Sequence, residues 1–354
     1  MANHKILWTL YLISLCSCAS LNNSPGPESK ICERIPAAKV YADAPPPIVT
    51  VPGNHFYSDS QNSLIDESLY AKNEEARKPL RKYLDQIIKM TENATQGDRG
   101  AGLAVNSWLV QWAEGDALTK VESQQGGFER KWLLSGLLIS YLSNKPYVGW
   151  EKRQKIESWL ARLTNLMIQD YQSYQKSSQR NNHVYWAGLV AIEMSLINHD
   201  KDLLNWGLEK IRFGLSQVDA NGFLPLELER KSKALQYHRV SLEALAMGAY
   251  LLKGQGFDLL NEYSGALDRL AQTTLEGLEK PEIFATKTGI AQQFNLNDST
   301  GWIEIYIRLK PESSKAASVL KMTPPNWNRA LGGKPIELFE SHNGGSIRCE
   351  RLFN

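Results

Sequence analysis

Apolar residues recur along most of this chain at the intervals of an amphipathic helix. Intervals of three and four residues place apolar side chains on one helix face, and they appear in segments that begin at Leu80, Trp159, Leu204, Leu242 and Leu267. Gly, Asn, Asp and Pro separate these segments, and no stretch alternates apolar and polar residues as a half-buried strand does. The pattern therefore predicts an all-α protein made of successive helical hairpins.

The predicted helices belong to one domain. No Pro/Gly-rich linker interrupts residues 66–320, so a closed ring or a solenoid is expected, and the absence of a fixed-period repeat disfavours the common solenoid families. Residues 21–63 hold 7 of the 15 prolines, which predicts an extended arm. We divide the chain into a leader (1–20), the arm and a loop (21–63), a helical domain (64–340) and a tail (341–354).

The first twenty residues have the features of a secretory signal peptide. Lys5 precedes a short apolar run over residues 6–15, and small residues follow it. The run is shorter than the roughly 20 residues that a membrane span needs. Leu15-Cys16-Ser17-Cys18 resembles a bacterial lipobox, which leaves two alternatives: a lipid anchor at Cys18 or ordinary cleavage near Ala19. Either one predicts export to the periplasm, with membrane contact only through such an anchor.

Export affects the oxidation state expected for Cys32 and Cys349, the two cysteines outside the leader. An oxidising compartment favours a disulfide between them, and two free thiols are the alternative. Neither lies in a CxxC motif or beside a histidine cluster, so no metal site and no thiol catalysis is expected.

Composition excludes several classes of protein. The 354 residues are 42% hydrophobic and 22% charged, with 40 basic and 38 acidic side chains and a net charge of +2. The chain is too apolar for a disordered protein and too neutral for a dedicated nucleic-acid binder. Its mean hydropathy of −0.37 is too polar for a multi-span membrane protein. The 10 tryptophans either fill the core or stack on sugars.

A local basic segment stands out against this neutral background. Arg230–Arg239 contains four Lys or Arg residues, and also His238, without an acid. On a helix Arg230 and Tyr237 share one face, about 10 Å apart. The alternatives are a solvated charged face and a site for a polyanion, and export favours an acidic polysaccharide over nucleic acid.

A second polar cluster interrupts the helical pattern at Asn181-Asn182-His183, next to Tyr185 and Trp186. An isolated histidine is usually structural, but here amide, imidazole and aromatic groups adjoin. Together with Arg230 and Tyr237 they suit β-elimination on a polyuronate. That reaction needs the carboxylate neutralised, a base at C5 and an acid at the O4 leaving group. Nothing in this set calls for a metal or another cofactor.

The joint pattern of these motifs resembles the bacterial alginate lyases of the poly-mannuronate type, polysaccharide lyase family five. It consists of NNHxYW at residues 181–186, GFLPxEL at 222–228 and RxxxALxYH at 230–238, and the similarity extends over residues 57–333. The resemblance implies an incomplete (α/α) toroid with a deep cleft, a monomer, no cofactor, and an acidic polysaccharide rich in mannuronate as the partner.

The resemblance also implies roles for individual residues. Asn182 and Arg230 match the pair that neutralises the uronate carboxyl group, and His183 and Tyr237 match the other catalytic residues. On mannuronate Tyr237 would be acid and base while His183 helps to neutralise charge; on other epimers His183 would be the base. Residues 54–63 match a lid loop. The remaining residues expected to contact substrate are Tyr57, Arg130, Lys131, Trp132, Tyr185, Trp186 and His238, of which His238 could also tune the pKa of Tyr237.

Two alternatives stay open at this point. One is a lyase for another polyuronate such as poly-glucuronate, because His55, Phe56 and Tyr57 depart from the residues common in the family's lid loop. The other is a non-catalytic polysaccharide-binding or export-scaffold protein, against which the presence of all four catalytic matches counts.

Overall fold

The computed structural model describes residues 39–60, 62–174, 178–296, 300–323 and 327–340, with the backbone alone for 339 and 340. The predictions of a signal peptide, of a lipid anchor at Cys18, of a disulfide between Cys32 and Cys349 and of a tail concern residues outside these ranges. None of the described helices is long and apolar enough to cross a membrane.

Helices dominate the described chain, as the sequence pattern predicts. They are α1 Glu67–Thr95, α2 Arg99–Glu114, α3 Gln124–Asn144, α4 Trp150–Ser173, α5 Asn182–Asn198, α6 Lys201–Ser216, α7 Pro225–Leu228, α8 Ala234–Gly254, α9 Glu262–Glu279, α10 Glu282–Thr288, α11 Gly301–Leu309, α12 Ser314–Met322 and α13 Pro335–Glu340.

Among the described residues, a pair of two-residue strands departs from the all-helical prediction. β1 Thr50–Val51 and β2 Lys120–Val121 pair in parallel. They are too short to show an alternating pattern, so hydrophobic periodicity does not predict them.

Each of the five periodic segments lies in a helix, namely α1, α4, α6, α8 and α9. Helix α8 ends at Gly254, and Gly256 just beyond it has φ +94°, a conformation that glycine adopts without steric cost. His199 ends α5 with φ 59° in the turn to α6, and Trp302 and Tyr306 are fully buried in the core.

Helix α5 is the central helix of the fold. It packs against α3, α4, α6 and α8, and it is apolar around most of its circumference, as expected of a helix buried on all sides. Its closest neighbour is α6, because Gly188 and Gly207 face each other. A Cβ atom at Gly207 would lie 2.7 Å from the carbonyl oxygen of Gly188. This packing fixes the N-terminal end of α5, where Asn182 and His183 lie.

The Pro-rich arm is held by tryptophan side chains. The indole Nε1 of Trp108 donates to the carbonyl of Ala42 at 2.8 Å, and that of Trp112 donates to Pro45 at 2.9 Å. The ring of Trp112 also stacks on Tyr83 with centroids 3.4 Å apart. Proline lacks a backbone N–H, so residues 45–47 cannot donate to a ladder, and these indoles give the carbonyls of Ala42 and Pro45 their partners.

The arm leads directly into the predicted lid loop. Asn54 exchanges two hydrogen bonds with the buried Asn73 of α1, one through its N–H at 2.7 Å and one through its carbonyl at 2.6 Å. Phe56 is buried and packs against the ring of Tyr70, with centroids 5.3 Å apart. These contacts fix the start of the loop and direct Tyr57 toward α8.

Candidate active site

The Asn181-Asn182-His183 run begins helix α5. Asn181 is the N-cap, and its Oδ1 accepts a hydrogen bond from the backbone N–H of His183 at 3.1 Å. The cap therefore leaves Asn182 and His183 in the first helical turn, where their side chains reach neighbouring elements.

Asn182 is held by a buried glutamate. Oε1 of Glu227 accepts from the backbone N–H of Asn182 at 2.8 Å and from its Nδ2 at 3.0 Å. Both residues are fully buried, and burial raises the pKa of Glu227 although the charge of Arg230 opposes that shift. Oδ1 of Asn182 and Oε2 of Glu227 have no partner among the described residues. The amide of Asn182 is thus fixed in orientation, with its second N–H and its oxygen free for a ligand.

His183 lies between an aromatic ring and a buried lysine. Its ring stacks on Phe128 with centroids 3.6 Å apart and an interplanar angle of 9°. Nζ of Lys131 lies 3.0 Å from Nδ1 of His183. Burial lowers the pKa of His183 well below 6.5, and the positive charges of Lys131 and Arg230 add to that effect. His183 is therefore neutral in the folded chain near neutral pH.

Arg230 reaches Tyr237 by a route that differs from the predicted one. Helix α8 begins only at Ala234, and Lys231 has φ +51°, so the prediction that Arg230 and Tyr237 share one helix face is wrong. The chain instead turns after Arg230, and its guanidinium carbon lies 3.8 Å from the centroid of the Tyr237 ring. Nε of Arg230 is buried without a partner among the described residues, which leaves this cation available to a ligand.

The basic segment is not one charged surface. Lys231 is exposed and Lys233 is half-buried, whereas Arg239 is fully buried and donates to the carbonyl of Asn295 at 2.7 Å. Of the basic side chains in 230–239, Arg230 is therefore the one that the structure places against Tyr237.

The lid loop supplies a second tyrosine to the site. The hydroxyl oxygens of Tyr57 and Tyr237 lie 2.6 Å apart, and the Tyr57 ring lies 5.4 Å from the guanidinium carbon of Arg230. Burial raises the pKa of Tyr237 well above 10, while the positive charge of Arg230 opposes that shift. Tyr237 therefore carries its proton in the chain without substrate.

A family model described as alginate lyase matches residues 51–284, a range that contains every residue of this cluster. The chain belongs to the alginate lyase family. As a member of this family, the chain has alginate lyase activity and acts on an acidic polysaccharide.

Three relatives show how far the similarity extends. The alginate lyase of Pseudomonas aeruginosa is 30% identical over 346 residues, which cover 93% of each chain. The alginate lyase of Azotobacter vinelandii is 34% identical over 265 residues, 72% of this chain and 70% of that one. A polysaccharide lyase of Stenotrophomonas maltophilia is 30% identical over 292 residues, 81% of this chain and 86% of that one.

Solved structures identify the fold. Alginate lyase A1-III from a Sphingomonas species superposes with a TM-score of 0.68 at 18% identity over 85% of each chain. A histidine-to-alanine variant of alginate lyase A1-III complexed with a tetrasaccharide gives a TM-score of 0.71 at 19% identity, covering 85% of this chain and 84% of that one. The fold of this lyase is therefore the (α/α) toroid that the resemblance implied.

Several residues expected to contact substrate are instead part of the core of the lyase. Trp186 is buried and its indole donates to the carbonyl of Val240 at 3.0 Å, so it cannot stack on a sugar. Tyr185 is equally buried, and its hydroxyl accepts from Gln217 at 2.9 Å. For both aromatics the prediction of substrate contact is wrong, because burial and a satisfied polar group leave no surface for a ligand.

His238 and Arg130 also have structural positions. Nδ1 of His238 donates to the carbonyl of Ala234 at 2.8 Å, and its Nε2 accepts from the N–H of Leu224 at 2.9 Å. Burial lowers its pKa to about 4. With both nitrogens occupied, it neither contacts substrate nor tunes Tyr237. Arg130 is buried and pairs with Asp170, so its guanidinium is committed to the fold.

Three of the residues expected to contact substrate lie beside the candidate catalytic cluster, which consists of Asn182, His183, Arg230 and Tyr237. These three are Tyr57, Lys131 and Trp132. Trp132 is partly exposed, with its ring centroid 5.9 Å from that of His183, so it keeps a surface that a sugar can reach. Lys131 is buried against His183 and acts through that residue rather than as an exposed sugar contact.

The sequence pattern did not identify Glu227 or Phe128 as parts of the site. Glu227 appeared only within the GFLPxEL motif, and Phe128 as one more apolar residue of α3. A glutamate in an otherwise apolar run was the available signal, since a buried carboxylate needs partners. Among the described residues no group of three His, Cys, Asp or Glu side chains could hold a metal ion.

Proposed function

We propose that this chain is an exported lyase that cleaves poly-β-D-mannuronate by β-elimination. The observation that carries the proposal is the convergence of Asn182, His183, Arg230 and Tyr237, which come from two distant parts of the sequence. Arg230 lies 3.8 Å from the Tyr237 ring, and the charge of Arg230 acts on His183. One uronate residue can therefore contact the cation, the amide and the phenol together.

The first task of this site is to neutralise the substrate carboxylate. Arg230 supplies a permanent positive charge, and Asn182 supplies the N–H that Glu227 leaves unused. His183 adds a neutral ring whose N–H can donate. These donors surround the carboxylate in a buried environment, where they stabilise the electron-rich intermediate that forms when C5 loses its proton.

The second task is proton transfer, which we assign to Tyr237. The C5–H bond breaks, the proton moves to the Tyr237 oxygen and the electron pair is delocalised into the carboxylate. The C4–O4 bond then breaks, C4 and C5 form a double bond, and Tyr237 returns the proton to O4. One residue can do both because the C5 proton and O4 of mannuronate leave from the same side of the sugar.

Tyr237 must be a phenolate before it can accept the C5 proton, so it first releases its own proton to solvent, and it is a phenolate again once it has passed the C5 proton to O4. Burial opposes this ionisation, and so does the contact with Tyr57 while Tyr237 is the donor, whereas Arg230 favours it. The hydrogen bond at 2.6 Å supports the ionised form when it runs the other way, with the Tyr57 hydroxyl donating to the phenolate. We therefore assign Tyr57 to the support of Tyr237, in addition to its position at the cleft.

The test is product formation on defined polymers. Each turnover creates a conjugated 4,5-double bond, so absorbance should rise on poly-mannuronate and much less on poly-guluronate or poly-glucuronate. The products should be oligosaccharides with an unsaturated 4-deoxy uronate at the non-reducing end. A faster rate on poly-guluronate would overturn the substrate, and no signal on any polyuronate would overturn the lyase function.

Periplasmic location is the second part of the proposal, and it is supported by the leader features of residues 1–20. Fractionation of a bacterial host should recover the protein in the periplasm or with membranes. If the lipid anchor exists, the Cys18→Ser variant should move from the membrane fraction to the periplasmic fraction. If the leader is simply cleaved, the distribution between the two fractions should not change. A cytoplasmic protein with an intact leader would contradict export.

A further inference from the structure

Lys131 has an unusual position for a lysine. It is 2% exposed, and its Nζ lies within hydrogen-bonding distance of two atoms, both of them on His183. These are Nδ1 of the ring at 3.0 Å and the backbone carbonyl oxygen at 3.3 Å. Nζ also lies 5.2 Å from the ring centroids of Phe128 and Trp132, so aromatic faces stabilise it on two sides.

These two contacts constrain how the hydrogens are arranged. A carbonyl oxygen only accepts, so Lys131 must donate to it. A charged amine carries three hydrogens and no lone pair, so it can only donate to the ring nitrogen, whereas a neutral amine has a second hydrogen for that nitrogen and also a lone pair. Donation to Nδ1 is the arrangement open to both forms of the amine, and a neutral imidazole with Nδ1 as acceptor carries its hydrogen on Nε2.

The rest of the His183 environment supports this assignment. The ring cannot rotate freely, because it stacks on Phe128 at 3.6 Å with nearly parallel planes. Nε2 has no hydrogen-bond partner within the described part of the chain, and the ring is partly exposed. Nε2 is therefore the nitrogen left for a ligand in the cleft.

From this geometry we infer that Lys131 is a positioning residue that fixes His183 as the Nε2–H tautomer and so makes it a hydrogen-bond donor to the substrate carboxylate. Such a His183 cannot take the C5 proton at Nε2, because that nitrogen already carries a hydrogen. Cleavage is then restricted to sugars whose C5 proton faces Tyr237, which is the geometry of mannuronate. The predicted effect on substrate specificity rests on the proposed function, whereas the assignment of the tautomer does not.

The tautomer can be measured without activity. The full chain, labelled with ¹⁵N-histidine, is recorded in long-range ¹H–¹⁵N spectra at neutral pH, and His183 is assigned by comparison with His183→Gln. We expect Nε2 protonated and Nδ1 unprotonated. A hydrogen on Nδ1 would overturn the inference. If the chain cleaves no polyuronate, the spectrum still decides the tautomer, so failure of the function and failure of the inference are distinguishable.

Variants then connect the tautomer with specificity. Lys131→Met keeps much of the apolar length without a donor, so it should give a mixture of tautomers and lower kcat on poly-mannuronate by about 10- to 100-fold, with a smaller change in KM. Lys131→Arg restores a donor and should recover the Nε2–H signal and part of the rate. Lys210→Met is the control, because Lys210 lies 5.1 Å from the Trp206 ring centroid, bonds Glu209 and contacts no histidine.

The outcomes for Lys131→Met separate positioning from support of the fold. An unchanged His183 spectrum together with an unchanged rate would overturn the role of Lys131. A lower rate with an unchanged tautomer would also overturn it, because the loss of rate would then come from damage to the fold and not from a change in which nitrogen of His183 carries the hydrogen. If Lys131→Met fails to fold, the spectrum of the native chain and of Lys131→Arg still tests the assignment.

Discussion

The hydroxyl oxygens of Tyr57 and Tyr237 lie 2.6 Å apart although 180 residues separate them in the chain. This hydrogen bond joins the lid loop to α8 directly over Arg230, whose guanidinium carbon lies within 5.4 Å of both ring centroids. The loop is thus part of the site. Its position follows from Asn73, which holds the loop at Asn54 and lets Tyr57 reach across.

Tyr57→Phe removes this hydrogen bond and keeps the ring. Because the phenolate of Tyr237 loses a donor, we expect kcat on poly-mannuronate to fall about tenfold, the effect of a hydrogen bond of about 1.4 kcal/mol. Initial rates from the double-bond absorbance measure it. The matched control is Tyr70→Phe, since Tyr70 packs against Phe56 outside the catalytic cluster. Equal losses in the two variants would contradict the assignment to Tyr57.

Tyr237→Phe should remove the acid and base together. We expect kcat to fall by about 10²- to 10⁴-fold, with a small change in the affinity for oligo-mannuronate measured by calorimetry. Tyr185→Phe is a control from the same motif set. The hydroxyl of Tyr185 bonds Gln217 in the core, so its loss should change stability and leave kcat/KM within about twofold. Normal turnover by Tyr237→Phe would show that another group transfers the proton.

Glu227→Ala should release Asn182 from its fixed orientation. The two hydrogen bonds at 2.8 and 3.0 Å disappear, so we expect kcat/KM to fall about 10- to 100-fold. Glu227→Gln keeps one acceptor oxygen and should retain more activity. Glu229→Gln changes an exposed carboxylate two residues away and should have no effect. If the Ala and Gln variants of Glu227 have native rates, Asn182 does not depend on this contact.

Glu129 should make stability depend on pH. Burial alone would raise its pKa, but Arg81 and Arg77 outweigh burial and lower the pKa below 4.5 in the folded chain. Because the pKa of Glu129 is lower in the folded chain than in the unfolded one, its ionised carboxylate stabilises the fold at pH values above the unfolded pKa of 4.5. This stabilisation is lost as the pH falls through the folded pKa. We expect Glu129→Gln to lower the free energy of unfolding by about 3 kcal/mol near neutral pH.

Urea unfolding at several pH values measures this difference, which should shrink below pH 4.5. Glu75→Gln is the control, because Glu75 pairs with Lys78 on the exposed side of α1 and should contribute less than about 1 kcal/mol. A difference for Glu129→Gln that is constant with pH would show that the ion pairs are not its origin.

Trp112→Phe should loosen the Pro-rich arm. The variant leaves the carbonyl of Pro45 without its donor and reduces the ring area that stacks on Tyr83. We therefore expect a loss of about 1 to 3 kcal/mol in the free energy of unfolding. Limited proteolysis should cut residues 39–50 faster than in the native chain. Trp150→Phe, at a ring that is 70% exposed, should change neither measurement. Native resistance of the Trp112 variant would show that the indole does not hold the arm.

The sequence determined the features of this protein that depend on short intervals. Helical periodicity is a property of residues three and four apart, so it correctly predicted helical segments that lie in α1, α4, α6, α8 and α9. That the polar NNH run begins α5, with Asn181 as its N-cap, is a finding of the structure. Residue types and motif order were also enough to predict the family that the comparisons establish.

The tertiary structure alone decided which of these residues meet. Glu227 contacts Asn182 across 45 positions and Lys131 contacts His183 across 52, and no local pattern encodes such contacts. It also decided burial, which removed Trp186 from the cleft although its motif is intact. The physical reason is that helix formation is fixed by neighbouring residues, whereas burial, pKa and the direction of a side chain depend on the elements that pack against it.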